Sequence, residues 1–187
     1  MKIGLAFAAA LIFSAGVHAQ NEESRTLELD GGGRVAYTLR THPPDAHTLR
    51  PAAELAPTSA LDAAKLLNLH LSTGDIEEAA LLSNSPRRRF EVLRDYRESV
   101  GEEEFKRVFA RYFFPQNRLL AEIAIGRHRL LIWELKAGVQ SGAASSFVAG
   151  QYFVEIEGRY LIDDVPNDVR TSLRWVLEAY RSGKLPR

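Results

Sequence analysis

The sequence predicts an α+β domain in which helices pack on a curved antiparallel sheet. From residue 58 to residue 113 apolar side chains recur every three or four positions, which is the spacing of one helix face. From residue 119 to residue 162 they alternate in short runs, as in strands. After Pro166 the helical spacing returns. Helices, then strands joined by short turns, then a closing helix is an α+β order.

The N-terminal part of the mature chain predicts a hairpin followed by a connector. Alternating runs at 27–29 and 34–39 flank Asp30 and three glycines, which supply the positive φ values that tight turns need. The polar residues 20–26 before them are predicted to be disordered. Prolines interrupt residues 41–57, which predicts an irregular connector with a short helical turn at residues 52–55.

Four helices are predicted before the sheet, at residues 58–71, 76–82, 85–100 and 102–114. Thr58 or Ser59 caps the first helix, and Asp75 caps the second. Pro86 occupies the first turn of the third, where its missing N–H costs nothing. Pro115 stops the fourth.

Four strands and a last helix complete the prediction, with strands at residues 119–125, 131–135, 147–157 and 159–162. In the first of these strands, Leu119, Ala121 and Ile123 are expected to point the same way. In the second, Trp133 and Glu134 are expected on opposite faces. An antiparallel sheet folded over one packed helical layer would bury every apolar face.

The first nineteen residues have the three parts of a cleavable secretion signal. Lys2 provides a positive charge, residues 3–13 are apolar, and Val17-His18-Ala19 places small or tolerated side chains before Gln20. This predicts a signal peptide at 1–19, a hairpin and proline-rich connector at 20–57, and the α+β domain at 58–187. The expected location is the periplasm, with secretion as an alternative. No later segment is long and apolar enough to insert stably in a bilayer.

Charge and cysteine content exclude several classes of protein. The chain has 24 basic and 24 acidic residues, and loss of Lys2 with the signal leaves 23 against 24. Nucleic-acid binding is not expected, because it depends on a net basic footprint. The chain has no cysteine, so an exported domain must rely on its apolar core rather than on disulfides.

Two segments resemble the NTF2-like superfamily, the cone-shaped α+β fold shared with scytalone dehydratase and ketosteroid isomerase. The run Ala63-Ala64-Lys65-Leu66-Leu67 followed by Ser72-Thr73-Gly74-Asp75-Ile76-Glu77-Glu78-Ala79-Ala80 is similar to the opening helix pair of such domains. Residues 153–162 are similar to their final hairpin. The resemblance covers about residues 58–165, with the N-terminal hairpin and the C-terminal helix as additions. It implies a concave sheet with a pocket, but not a particular chemistry.

The motifs of common catalytic sites are missing from the sequence. It has no H-E-x-x-H, P-loop or G-x-S-x-G pattern and no cysteine nucleophile, and no cofactor is expected. Glu134 has two interpretations: a buried base with a raised pKa and Tyr152 as its proton-transfer partner, or an outward carboxylate paired with Arg129 or Lys136. Tyr112, Trp133, Glu134 and Tyr152 would line the concave pocket if the first interpretation holds.

Most of the remaining candidate functional residues lie on the third and fourth predicted helices. Arg87, Arg88, Arg94, Arg97 and Arg111 form either a solvated surface or a recognition patch for an acidic partner. The two histidines of the connector, His42 and His47, do not supply the closed ligand set that a metal site needs, so no metal site is predicted.

The leading functional hypothesis is therefore a non-catalytic exported protein that docks another protein, such as an inhibitor or an immunity protein neutralising a toxin. A pocket protein that binds a small molecule, or an isomerase or dehydratase built on the concave face, is the alternative. Self-association as a homodimer is a third hypothesis.

Overall fold

One antiparallel sheet of six strands forms the centre of the protein, and its strand order follows the chain. The structure is a computed structural model that describes residues 22–136 and 146–185. The strands are β1 (Glu22–Glu28), β2 (Arg34–Arg40), β3 (Arg118–Ile125), β4 (His128–Lys136), β5 (Ser146–Ile156) and β6 (Arg159–Ile162). The α+β class and the antiparallel meander predicted from the sequence are confirmed.

Five α-helices accompany the sheet at or near the predicted positions. They are α1 (Ala60–Thr73), α2 (Ile76–Leu81), α3 (Pro86–Val100), α4 (Glu102–Ala110) and α5 (Asp168–Arg181), with short 3-10 turns at Ala52–Glu54 and Arg111–Phe113. Ser59, not Thr58, caps α1 by accepting from the Asp62 N–H at 3.1 Å. Gly74 ends that helix at φ 85°, a backbone conformation that favours glycine.

The two faces of the sheet are covered by different helices, so the protein has two helical layers rather than one. Leu131, Trp133 and Leu135 of β4 lie in a core with α1 to α4. The alternate residues Leu130 and Ile132 lie in a second core with α5. Successive strand residues point to opposite faces, so α5 covers the face away from α1–α4. The prediction of a single helical layer is thereby corrected.

A β-bulge in β3 changes which side chains share a face. The pairing with β4 shifts between Leu119 and Ala121, which leaves Leu120 without a directly opposed residue. As a result Leu119 packs with the α1–α4 layer, whereas Ala121 and Ile123 pack with α5. The expectation that all three point the same way is therefore wrong, because a bulge shifts the alternation by one residue.

The N-terminal hairpin belongs to the same sheet, and its first strand begins earlier than predicted. Residues 22–26, expected to be disordered, form the start of β1, which pairs with β2 from Glu22 opposite Arg40 to Glu28 opposite Arg34. Both of these cross-strand pairs are also ion pairs. β2 in turn pairs with β3. Polar composition is compatible with a strand here because β1 lies at the edge of the sheet.

The predicted signal peptide lies outside the described residues. Among residues 22–136 and 146–185, none of the helices combines the length and the apolar character needed to cross a bilayer.

Candidate binding site: an arginine cleft and the pocket behind it

The arginines predicted as one patch are distributed over several surfaces. Arg87 and Arg94 lie on the outer side of α3, where Arg87 pairs with Glu91 at 3.2 Å and Arg94 with Asp95 at 2.7 Å. Acidic neighbours on the same helix therefore balance these two cations, as in an ordinary solvated helix face.

Two more arginines of the predicted patch, Arg97 and Arg111, lie at separate places on the protein. The Arg97 guanidinium donates to the Gly74 carbonyl at 3.2 Å and so caps the end of α1. Arg111 belongs to the 3-10 turn that follows α4. The structure thus does not bring the five predicted arginines together.

Arg88 instead faces a cleft between α3 and the start of α5, which we call the arginine cleft. Its volume is about 280 Å³. The lining residues are Arg88, Arg89, Val92, Asp164, Pro166, Asn167, Arg170, Thr171 and Arg174. Four of the nine are arginines, and Val92 is an exposed apolar side chain among them, with 53% of its surface accessible.

Asp164 is the acidic residue of the cleft, and its charge is already matched. Arg89 donates to both of its carboxylate oxygens, at 2.8 and 2.5 Å, and the Ser83 hydroxyl donates at 2.6 Å. This two-pronged geometry orders the Arg89 side chain. The pair therefore shapes the cleft without adding net charge to it.

Arg88, Arg170 and Arg174 supply the unbalanced charge. In the described part of the chain, no carboxylate oxygen lies within 4.0 Å of their guanidinium groups. The Arg170 guanidinium lies over the Tyr152 ring, 5.4 Å from its centroid. Three cations without carboxylate partners make the cleft an attractive site for an acidic group.

A buried polar network fixes the wall that joins β6 to α5. Asp163, which is 2% exposed, accepts from Asn84 at 2.9 Å and lies 3.0 Å from His128 Nδ1. Asn167 Nδ2 donates to the same carboxylate at 3.2 Å, while its oxygen caps α5 by accepting from the Arg170 N–H. The start of α5, and with it Arg170, is therefore held at a fixed distance from the sheet.

Behind the arginine cleft lies a second cavity between the α1–α4 layer and β5, which we call the inner pocket. Its volume is about 310 Å³. The lining includes Leu67, Asn68, Leu71, Leu93, Phe109, Tyr112, Gly150, Gln151, Tyr152 and Ile162. Arg89, Asp164 and Arg170 line both cavities, so the two are adjacent.

Polar and apolar groups both contribute substantially to the lining of the inner pocket. Gln151 Nε2 donates to Asn68 Oδ1 at 3.2 Å, and Gln151 Oε1 is buried with no partner among the described residues. Burial raises the pKa of the Tyr112 hydroxyl to about 12, so the phenol is neutral at physiological pH. These groups can orient a ligand by hydrogen bonds.

Of the four residues proposed for a catalytic pocket, Tyr112 and Tyr152 line the inner pocket, whereas Trp133 and Glu134 do not. Tyr112 and Trp133 meet edge to face in the α1–α4 core, with ring centroids 5.9 Å apart. Tyr152 packs with the α5 core. Glu134 stands opposite Val148 on β5, four residues along the strand from Tyr152. Glu134 and Tyr152 therefore do not converge.

Glu134 is an ion-paired carboxylate at the end of β4. Arg118 donates to its Oε2 at 2.9 and 2.7 Å, and Lys136 and Ser146 approach its Oε1 at 3.4 and 3.2 Å. The Arg118 hydrogen bonds hold the pKa of Glu134 below its usual value, against the opposing effect of burial. A base with a raised pKa is contradicted. The other interpretation holds in part, because Glu134 pairs with Lys136 but not with Arg129, and at 6% exposed it is buried rather than outward.

The connector histidines do not form a metal centre. His42 Nε2 lies 2.8 Å from the buried Glu122, which Arg129 also approaches at 3.5 Å, and His47 Nδ1 lies 3.2 Å from the Pro44 carbonyl. Within the described ranges no group of three or more metal-binding side chains is present.

Sequence reasoning missed Asp164, Arg170 and Arg174. Arg170 and Arg174 are four residues apart on the polar side of the last helix, and that spacing is visible in the sequence. Nothing in the sequence placed that side of α5 beside α3.

Fold and site together define a mixed α+β protein with an arginine-lined cleft open to solvent. Comparison with protein-family models, curated proteins and solved structures returns no match to the chain.

Proposed function

We propose that the protein is an exported, non-catalytic binding protein that docks an acidic surface of another protein in the arginine cleft. An inhibitor or an immunity protein that neutralises a toxin is one concrete form. The observation that carries the proposal is the charge state of the cleft, in which Arg88, Arg170 and Arg174 have no carboxylate partner among the described residues.

The composition of the cleft matches that of protein interfaces. Arginine is enriched at binding hot spots, and the exposed Val92 offers an apolar contact in the same cleft. Complementary charge speeds the encounter of two proteins and disfavours partners of the same sign. The Arg89–Asp164 pair keeps the site open by fixing one wall before the partner arrives.

The proposal includes export of the protein, which is supported by the predicted secretion signal at residues 1–19. A chain expressed with its native N-terminus is expected in the periplasm with Gln20 as its first residue. The intact mass of the protein from the periplasmic fraction tests this, and a retained N-terminal methionine in the cytoplasm would contradict it.

We also propose that the chain is related to the NTF2-like superfamily. Its support is the resemblance of residues 58–165, and an inner pocket between helices and sheet is compatible with it. A crystal structure in which residues 58–165 do not form a cone around that pocket would contradict it.

The docking proposal is tested by capture with tagged mature protein from the envelope of the source cells. Arg88→Glu/Arg174→Glu reverses two charges in the cleft, and Arg87→Glu/Arg94→Glu makes the same change of net charge on the outer side of α3. All four side chains are exposed, so neither change disturbs the core.

The wild type and the outer control are expected to retain the same acidic protein, and the cleft variant is expected to retain at least tenfold less. Equal capture by both variants, equal loss from both, or no captured protein would contradict docking in the cleft. Self-association is measured in the same preparation by light scattering.

A small-molecule function is the second candidate, and the inner pocket favours it. A cavity of about 310 Å³ lies at the lower limit of ligand sites in proteins. Catalysis by Glu134 and Tyr152 is not proposed, because the two do not meet.

A further inference from the structure

We propose that the inner pocket and the arginine cleft together bind a small amphipathic acid, with the apolar body in the pocket and the acid group at Arg170 and its cationic neighbours. This is a ligand site in its own right, and it does not rest on the docking of a protein.

The apolar body is assigned to the inner pocket because five of its lining side chains are apolar or aromatic and come from the helical layer. Leu67 and Leu71 come from α1, Leu93 from α3, and Phe109 and Tyr112 from α4 and the turn after it. At about 310 Å³ the pocket holds the volume of roughly ten water molecules. That volume fits a short alkyl or single-ring body and excludes a large one.

The acid group is assigned to the arginine cleft because the cleft is cationic. Arg170 lines both cavities, and its guanidinium is positioned over the Tyr152 ring rather than engaged with a carboxylate. Arg88 and Arg174 line the same cleft. A guanidinium binds a carboxylate or another oxyanion through two parallel hydrogen bonds.

The ligand is inferred to be an acid rather than an amine or a neutral molecule. The carboxylate of Asp164 is occupied by Arg89 and Ser83, so it offers little to a cationic head group. A neutral head group would leave three close cations without a counter-charge in the cleft. The buried Gln151 Oε1 has no partner among the described residues and can accept a hydrogen bond from a hydroxyl on the ligand body.

Octanoate is the probe, and isothermal titration calorimetry with the mature protein is the measurement. Octanamide, which has the same body and no charge, is the matched ligand control. Arg170→Gln/Arg174→Gln is the test variant, and Arg87→Gln/Arg94→Gln is the matched protein control on the outer side of α3.

Octanoate is expected to bind the wild type and the control variant equally, and the test variant at least tenfold more weakly. Octanamide is expected to bind the wild type at least tenfold more weakly than octanoate. Equal affinity for the two ligands, equal affinity of the two variants, or no heat of binding would overturn the proposal.

A photoreactive octanoate with a diazirine at its far end gives an independent readout. After irradiation, mass spectrometry is expected to find the label on the peptide that contains Leu67 and Leu71. Labelling confined to surface residues would overturn the assignment of the body to the inner pocket. Octanoate binding can fail while the protein capture succeeds, and the reverse, so the two proposals fail separately.

Discussion

Substitution of Gly150 by alanine tests how α5 packs on the sheet. Gly150 lies in β5, and a Cβ atom added there would stand 2.6 Å from Leu177 Cδ2 and 3.0 Å from Leu130 Cδ1. Carbon atoms in ordinary contact are about 3.5–4.0 Å apart. Leu177 is 3% exposed and Leu130 is fully buried, so both side chains would have to shift within the core that contains α5.

The expected cost follows from that overlap. Adding a methyl group to a well-packed core costs about 1–3 kcal/mol. Alanine also restricts the unfolded chain, which returns roughly 0.4–1 kcal/mol where the backbone conformation suits it. Gly150→Ala is therefore expected to lower the free energy of unfolding by about 1–2 kcal/mol, which is roughly 2–8 °C in Tm for a chain of this size.

Urea and thermal unfolding followed by circular dichroism provide the measurement. Gly31→Ala, in the β1–β2 turn, is the control because a Cβ there meets no atom within 4 Å. Its effect is expected to stay within about 0.5 kcal/mol. Leu177→Ala alone is expected to cost about 2–5 kcal/mol.

The double variant Gly150→Ala/Leu177→Ala identifies the contact. Removing the Leu177 side chain makes room for the new methyl group, so the alanine at 150 is expected to cost little in that background. A stable Gly150→Ala protein, or additive effects of the two substitutions, would refute the close packing of α5 against β5.

Two further predictions concern buried charges. Glu134→Gln is expected to destabilise the protein by about 1–2 kcal/mol at pH 7, because it removes the charge that Arg118 binds. Since the pKa of Glu134 is lowered in the folded protein, its contribution is present above the unfolded value near 4.5 and is lost as pH falls through the folded pKa. The free energy of unfolding, measured in urea between pH 7 and pH 3, should therefore fall less for the variant than for the wild type as the pH is lowered. An equal fall in both proteins would contradict this. Lys65→Met is expected to stabilise the protein at pH 7, because burial lowers the pKa of Lys65 and disfavours its charged form despite the nearby Asp62. The stability deficit of the wild type relative to the variant should shrink as pH rises through the folded pKa toward the unfolded value of 10.5, and a less stable variant at pH 7 would contradict the account.

Periodicity was sufficient to predict the helices and the sheet. The four apolar repeats before residue 115 and the alternation after it correspond to α1–α4 and β3–β6 within a few residues. Local signals such as the Ser59 cap and the glycine at 74 also act locally in the structure. These features depend on neighbours in the chain, which is why the sequence reveals them.

Features that depend on distant partners were not predictable. The bulge at Leu120 shifts the side-chain alternation through pairing with β4, and no residue type marks it. The residues at the start of β1 are polar. They form a strand because β2 provides hydrogen bonds and ion pairs, such as that of Arg40 with Glu22.

The site shows the same division between local and distant information. Arg88 could be selected from the sequence, but so could Arg87 and Arg94, which Glu91 and Asp95 neutralise on the same helix. What separates them is the position of α5 beside α3, which brings Arg170 and Arg174 to the cleft. The packing of α5 beside α3 is a tertiary contact, and the sequence pattern of a single helix does not predict such contacts.

Photo-crosslinking from inside the arginine cleft tests the central claim most directly. Val92, 53% exposed in the cleft, is replaced by a photoreactive phenylalanine, and Trp175, 44% exposed outside it, receives the same group as the control. After irradiation in the envelope of the source cells, position 92 is expected to yield one crosslinked acidic protein and position 175 none. Crosslinking from position 175 alone, or from neither position, would contradict recognition of an acidic partner in the arginine cleft.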